Sequence, residues 1–249
     1  MNYAIVLRLL SYILYCEAAL LLLPAMASLI YGEWMVLGVF LLTAAVSAGI
    51  GYALHTIKPR SKVFYMREGF AATSLCWVFI SVIGAVPFVL TGSIPNPVDA
   101  MFETVSGFTT TGASIFGAPA SLPRGIQLWR ALTQWLGGMG IIVFTLAVFP
   151  SLNTGGGVSM FRAESSGITL NKLGSRIADT AKVLWGVYAV LTLLLVALLW
   201  AGPMGLFESV CHAMATISTG GFSTRNESIA AFASPYVKVV LTVFMFIGG

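Results

Sequence analysis

The stretch Phe102-Glu103-Thr104-Val105-Ser106-Gly107-Phe108-Thr109-Thr110-Thr111-Gly112-Ala113-Ser114 decides the fold, because the chain repeats it in altered form. The second copy runs Phe207-Glu208-Ser209-Val210-Cys211-His212-Ala213-Met214-Ala215-Thr216-Ile217-Ser218-Thr219-Gly220-Gly221-Phe222-Ser223. Both copies carry Phe-Glu-[Thr/Ser]-Val, and both close on Thr-x-Gly-x-Ser, Thr110 to Ser114 and Thr219 to Ser223. Both follow a proline near a helix start, Pro97 and Pro203, where a missing N–H costs nothing. Ten positions separate Phe102 from Gly112 and fourteen separate Phe207 from Gly221. Matching the two Phe-Glu pairs therefore gives the second copy an extra helical turn or a longer entry, and puts Glu103 and Glu208 in the same place. Trp135-Leu136-Gly137-Gly138 and Phe246-Ile247-Gly248-Gly249 extend the similarity downstream. Each unit reads as a span, a short re-entrant helix, a Thr/Gly-rich turn and a second span, and an internal repeat of this kind outranks single-segment readings.

Composition fixes the solvent. Of 249 residues 58% are hydrophobic and 9% charged, against about 25% charged in an ordinary soluble domain. Mean hydropathy is +0.92. That much apolar surface must face lipid, which excludes a soluble enzyme or a nucleic-acid-binding module. Apolar stretches long enough to span lie at 4–30, 34–54, 70–90, 126–149 and 183–201, and a sixth begins at 236. Ala25-Met26-Ala27 looks like a signal-peptidase site, but Glu17 interrupts the apolar region and a further apolar stretch follows at once, so the first segment reads as a retained span. The fold class is an all-α integral membrane protein. The expected divisions are an N-terminal two-helix hairpin over 1–66, a first helix–pore loop–helix repeat over 67–150, a linker over 151–181, and a second repeat over 182–249 with an incomplete last helix.

Charge gives the orientation. The connections at 55–68 and 151–182 together hold 8 of the 13 basic residues, whereas 91–125 and 202–235 hold two acids each and few bases. Cytoplasmic loops are enriched in Lys and Arg, so the first two face the cytoplasm, the last two face outward, and the N-terminus is cytoplasmic.

The outward segments carry the chemistry. Their short helices are too apolar for water and too short to span, so they dip into the membrane and return. Irregular backbone at membrane depth is tolerated only where it lines a watery cavity or is buried in protein. Glycine there lets carbonyls turn inward without a Cβ clash. The helix C-terminal ends near Phe108 and Ile217 carry partial negative charge and favour a cation. Backbone carbonyls can then replace the water shell of the ion, the mechanism by which potassium filters of another loop sequence work. The expected site is Thr109, Thr110, Thr111, Gly112, Thr219, Gly220 and Gly221, with Glu103 and Glu208 bracing the loops and no catalytic residue.

These motifs resemble the TrkH family, the membrane subunits of bacterial Trk potassium uptake systems within the Trk/Ktr/HKT superfamily. Arg67-Glu68-Gly69-Phe70, Arg162-Ala163-Glu164, Ala178-Asp179-Thr180-Ala181-Lys182, Trp135 to Gly140 and Gly220 to Thr224 add to the resemblance, in the family's order. It implies a potassium-channel-like fold of four repeats in one chain, with one filter glycine per repeat. On that pattern Gly112 and Gly221 are filter glycines, although Gly220 is the alternative in the second repeat. Carbonyls of Thr110, Thr111, Thr219 and Gly220 would face potassium, the substrate, with no covalently bound cofactor. In plant relatives a serine at the first-repeat glycine goes with sodium transport, so Gly112 implies the potassium type; sodium or non-selective passage by the same architecture is the alternative reading. The resemblance also implies a homodimer in the bacterial inner membrane and a cytoplasmic nucleotide-binding partner, TrkA. Only two repeats are present and the second stops inside its closing span, so the 249 residues are expected to be half of a four-repeat pore and not to conduct alone.

The remaining features read structurally. Cys16, Cys76 and Cys211 are widely spaced in apolar context and read as buried small hydrophobes. His55 and His212 have no partners at metal-ligand spacing. Asp99 serves the positive end of its helix, Arg124 and Arg130 snorkel from the outer end of their span, and Gly137, Gly138 and Gly140 permit close packing. Arg8 and Glu17 receive no transport role. Thr154-Gly155-Gly156-Gly157 lacks the Lys-Ser/Thr of a phosphate loop. An intramembrane serine protease built on Ser106 and His212 lacks its Gly-x-Ser-Gly, since position 104 is Thr. No intramembrane chain of acids stands out, which leaves channel-like passage and proton-coupled symport both open.

Overall fold

Long apolar runs without interior charge pairs become long helices, because lipid offers no partner for backbone N–H and C=O groups. The computed structural model describes residues 3–57, 66–140 and 177–249, and within them every regular element is helical. Helix α1 spans Tyr3–Ile30 and α2 spans Trp34–His55, joined by a tight turn in which Gly32 takes a positive φ of 72°. Helix α3 covers Met66–Leu90. Helix α4, Pro97–Phe108, has 12 residues. Helix α5 follows at Arg124–Gly138, α6 at Ile177–Ala201, α7 at Leu206–Ile217 and α8 at Pro235–Gly248. Helices α1, α2, α3 and α6 are long and apolar enough to cross a membrane. The 12-residue helices α4 and α7 reach about 18 Å at 1.5 Å per residue, too short for a hydrocarbon core of about 30 Å. The basic stretches at 58–65 and 151–176, the Thr154–Gly157 run and the 141–149 end of the fourth expected span lie outside the described residues.

Local sequence sets the boundaries of the short helices. Asn96 caps α4 by accepting the Val98 N–H at 3.0 Å, Pro97 takes the first helical position, and Asp99 lies in the first turn, as the positive helix end favours. Glu33, in the α1–α2 turn, caps a helix far along the chain: its carboxylate accepts the Arg124 N–H at 2.6 Å and the Gly125 N–H at 3.0 Å. The N-terminal hairpin is thereby fastened to the start of α5. Gly125 is small because Ser28, Val36 and Phe40 occupy the space its Cβ would need.

The core lies where α1, α3, α4 and α5 meet. Trp129 is fully buried, stands edge-on to Phe40 and Phe108, and donates its indole N–H to the Gly84 carbonyl at 2.9 Å. On the other side of α5, Trp135 donates to Thr192 Oγ1 at 2.9 Å and Tyr188 donates its hydroxyl to the Trp135 carbonyl at 3.0 Å, which docks α6. Cys16, Cys76 and Cys211 are buried and not disulfide-linked.

Candidate functional site: two matched loops on helix α5

Each short helix ends in the same way. The Thr110 N–H bonds the Gly107 carbonyl and the Thr111 N–H bonds the Ser106 carbonyl. After α7, the Thr219 N–H bonds the Thr216 carbonyl and the Gly220 N–H bonds the Ala215 carbonyl. This paired 5→2 and 6→1 pattern is a Schellman ending, which turns the chain sharply out of a helix through a left-handed residue. Thr110 and Thr219 are those residues, both at φ 54°. Glycine normally fills this position; a β-branched residue there is a conformational outlier. Two positions on, Gly112 and Gly221 again take positive φ, 75° and 85°. Gly221, not Gly220, is therefore the positional counterpart of Gly112.

The loops lie side by side. A Cβ on Gly112 would run into the carbonyl oxygen of Gly220. Residues 109–114 and 218–223 are both outside the helices. They belong to one region of the molecule, fed by two helix C-termini.

Helix geometry replaces the register expected from Phe-Glu. Both short helices have 12 residues and end four positions before their glycine, so neither has an extra turn. With the loops aligned, residues 109 positions apart correspond, and the counterpart of Glu103 is His212, while Glu208 corresponds to Asp99. The contacts follow this pairing. Glu103 accepts the Ser114 hydroxyl at 3.0 Å and the Ile115 N–H at 3.0 Å. His212 Nε2 lies 3.1 Å from the Ser223 hydroxyl, and its Nδ1 lies 2.9 Å from the Glu208 carbonyl oxygen. Ser114 and Ser223 in turn accept the N–H two residues on, from Phe116 and Arg225. Glu208 sits one turn before His212, in the first turn of α7, and pairs with Arg225 at 2.6 Å. The Phe-Glu match placed the two glutamates together because their neighbours are alike; the helix end, not the local motif, fixes the position.

Helix α5 contacts both loops through one face. Arg130, expected to snorkel, is only 3% exposed. Its partners hold it inside: Nε donates to Glu103 at 2.8 Å, one terminal nitrogen donates to Ser114 Oγ at 3.0 Å, and the other donates to the Ser223 carbonyl at 3.2 Å. The guanidinium also lies over the rings of Phe222 and Phe116, 4.3 and 5.1 Å from their centroids. One turn on, Gln134 Oε1 accepts the Phe222 N–H at 2.9 Å. Gly137 abuts the Phe108 carbonyl and Gly138 abuts Ser218, the residues that end α4 and begin the second loop. Gly248 of α8 abuts the Ile217 carbonyl as Gly137 abuts Phe108. Arg124 is half-buried and lies over Phe207, 4.9 Å from the ring centroid. Arg130, Gln134 and His212 carry site contacts that sequence reading did not assign. A count of 109 positions back from His212 would have found Glu103, and Arg130 and Gln134 stand four apart on the face that leads to Gly137 and Gly138.

No group of three or more His, Cys, Asp or Glu that could hold a metal ion exists among the described residues. What the two loops share is irregular backbone at the C-terminal ends of two short helices, ends that carry partial negative charge.

Comparison with known proteins places the chain among cation transport proteins. Residues 36–249 match the TrkH family model, described as a cation transport protein. The Trk system potassium uptake protein TrkH of Escherichia coli strain K12 is 37% identical over 253 residues, covering 100% of this chain and 52% of that protein. The protein of the same name from Halomonas elongata is 34% identical over 252 residues, covering 99% and 52%. The crystal structure of the potassium transporter TrkH from Vibrio parahaemolyticus superposes with a TM-score of 0.81 at 32% identity, covering 99% of this chain and 50% of that one. The chain spans about half the length of the curated relatives it matches.

Proposed function

Because the chain belongs to the TrkH family of cation transport proteins, we propose that it forms part of a potassium uptake protein and supplies two sides of a filter lined by backbone carbonyls. The observation that carries this reading is the matched pair of loops: two helices end in the same turn, present glycines at the same left-handed position, and bring Gly112 against the Gly220 carbonyl. On this reading the carbonyls of Thr110, Thr111, Thr219 and Gly220 replace the water shell of potassium, and Thr109 braces the first loop through its hydroxyl bond to Thr111 at 2.8 Å. The chain divides into the hairpin 1–66, a repeat over 67–150, a linker over 151–181 and a second repeat from 182. Two further loops complete the ring, so this half alone does not conduct. The complete protein sits in the bacterial inner membrane with its N-terminus in the cytoplasm, forms a homodimer, and meets TrkA through its cytoplasmic loops.

The test is isotope flux in liposomes containing the complete protein. Rubidium uptake should exceed sodium uptake, and Gly112→Ser should reduce that preference. Equal rubidium and sodium fluxes in the unaltered protein favour the non-selective alternative. An unchanged ratio in Gly112→Ser would refute the filter role of the first loop.

A further inference from the structure

Gln134 is fully buried and stands between the two glycine loops. Its Oε1 accepts the Phe222 N–H at 2.9 Å, the amide that follows Gly221. Its side-chain amide lies flat against Gly220, where a Cβ would overlap it. Its Nε2 has no hydrogen-bond partner among the described residues and lies 3.8 Å from the point where Gly112 would carry a Cβ. The Gly220 carbonyl oxygen crowds that same point. The amide thus grips one loop with its acceptor and turns its donor toward the contact between the two loops.

We propose that Gln134 is a positioning residue that sets the separation of the Gly112 and Gly221 loops, and so the size of the cation that fits between them. The inference deepens the filter reading and rests on it. Residue chemistry explains the choice. An acceptor is needed for the Phe222 N–H, because an unsatisfied buried amide is costly. At the loop contact an amide N–H beside the Gly220 carbonyl oxygen avoids the repulsion that a second oxygen there would bring. Glutamine supplies both on one rigid plane; glutamate supplies acceptors only, and leucine supplies bulk only. Helix α5 holds that plane still, because Gly137 and Gly138 below it are pressed against the starts of the two loops.

The test compares rubidium and sodium influx into liposomes carrying the complete protein with Gln134→Leu, Gln134→Glu or Gly112→Ser. Gln134→Leu should lower the rubidium-to-sodium ratio about tenfold, the scale of one lost buried hydrogen bond. Gln134→Glu keeps an acceptor for the Phe222 N–H but puts a carboxyl oxygen in place of Nε2 beside the Gly220 carbonyl, and should lower the ratio about threefold by pushing the loops apart. A merely structural role would reduce the amount of folded protein without moving the ratio, so an unchanged ratio in both variants overturns the proposal. If Gln134→Leu does not fold, Gln134→Glu decides alone: a lowered ratio supports the proposal and an unaltered one refutes it. The two readings separate cleanly, because Gly112→Ser changes the ratio whenever the filter reading holds, whatever Gln134 does. If Gly112→Ser has no effect, the filter reading falls and takes this proposal with it.

Discussion

Removing the charge of Glu103 tests the idea that a buried ion pair holds the first loop. In Glu103→Gln the shape is kept, but Arg130 loses its carboxylate at 2.8 Å while staying buried. The amide oxygen of the introduced glutamine, the Ser114 hydroxyl and the Ser223 carbonyl can still accept from the guanidinium, but none of them carries a compensating charge. The side chains are 3% and 0% exposed, so the value of about 0–1 kcal/mol for a surface pair does not apply. Breaking a buried pair from one side costs about 3–5 kcal/mol, because the surviving charge has no counterpart. Arg130→Gln should cost a similar amount, since Glu103 then keeps only Ser114 and Ile115. The double variant leaves two neutral amides within reach of each other, and each lost neutral bond is worth only about 1 kcal/mol. The cycle should therefore show a coupling of about 2 kcal/mol or more. The assay is unfolding of the complete protein in mixed micelles, with rubidium uptake measured in parallel, where both single variants should be slower. Additive losses, or single variants within about 1 kcal/mol of the unaltered protein, would refute the claim that this pair fastens the loop.

Gly221→Ala meets open space but must hold φ at 85°, so it should cost about 1–2 kcal/mol; Gly112→Ala adds a collision with the Gly220 carbonyl and should cost more, and equal losses in an unfolding assay would contradict the loop contact. His212→Gln can still reach Ser223, whereas His212→Leu leaves that hydroxyl with the Arg225 N–H but without its ring partner, so only the leucine variant should lose about 1 kcal/mol and slow rubidium uptake. Trp129→Phe removes the bond to Gly84 and should lower stability by about 1–2 kcal/mol without altering the rubidium-to-sodium ratio, since the Phe108 and Phe40 ring contacts are kept by the smaller ring; a shifted ratio would show that core packing reaches the site.

The helices and the turn motif were legible because their causes are local. A run of apolar residues without charge dictates a span whatever its neighbours do, and Thr-x-Gly-x-Ser gave the correspondence of Gly112 with Gly221 that the φ angles repeat. The brace was not legible, because its causes are distant. Glu103 and His212 share no chemistry as letters, yet both can bond a serine hydroxyl eleven residues on. Arg130 looked like an end-of-span cation because its partner carboxylate lies 27 residues earlier on another helix. Glu33 gave no signal at all: a turn residue that caps a helix 91 positions later has no pattern in sequence.

The threonines at the turns join the fold to the proposed chemistry. A left-handed residue with a Cβ costs about 1–2 kcal/mol, and glycine would avoid that cost at Thr110 and Thr219. Strain of this kind persists only where the surroundings over-determine the backbone. Here they do: two Schellman bonds hold each turn, Gly137 and Gly248 press on the last carbonyls of α4 and α7, and Gly138 presses on Ser218. Flexible glycines at the turns would let the following carbonyls wander, whereas a threonine forced into one conformation aims them. A filter that distinguishes ions by the spacing of its oxygens needs that stiffness. The strain at Thr110 and Thr219 is thus the physical counterpart of the freedom that Gly112 and Gly221 provide two residues later, one fixing where the chain turns and the other allowing a second left-handed bend.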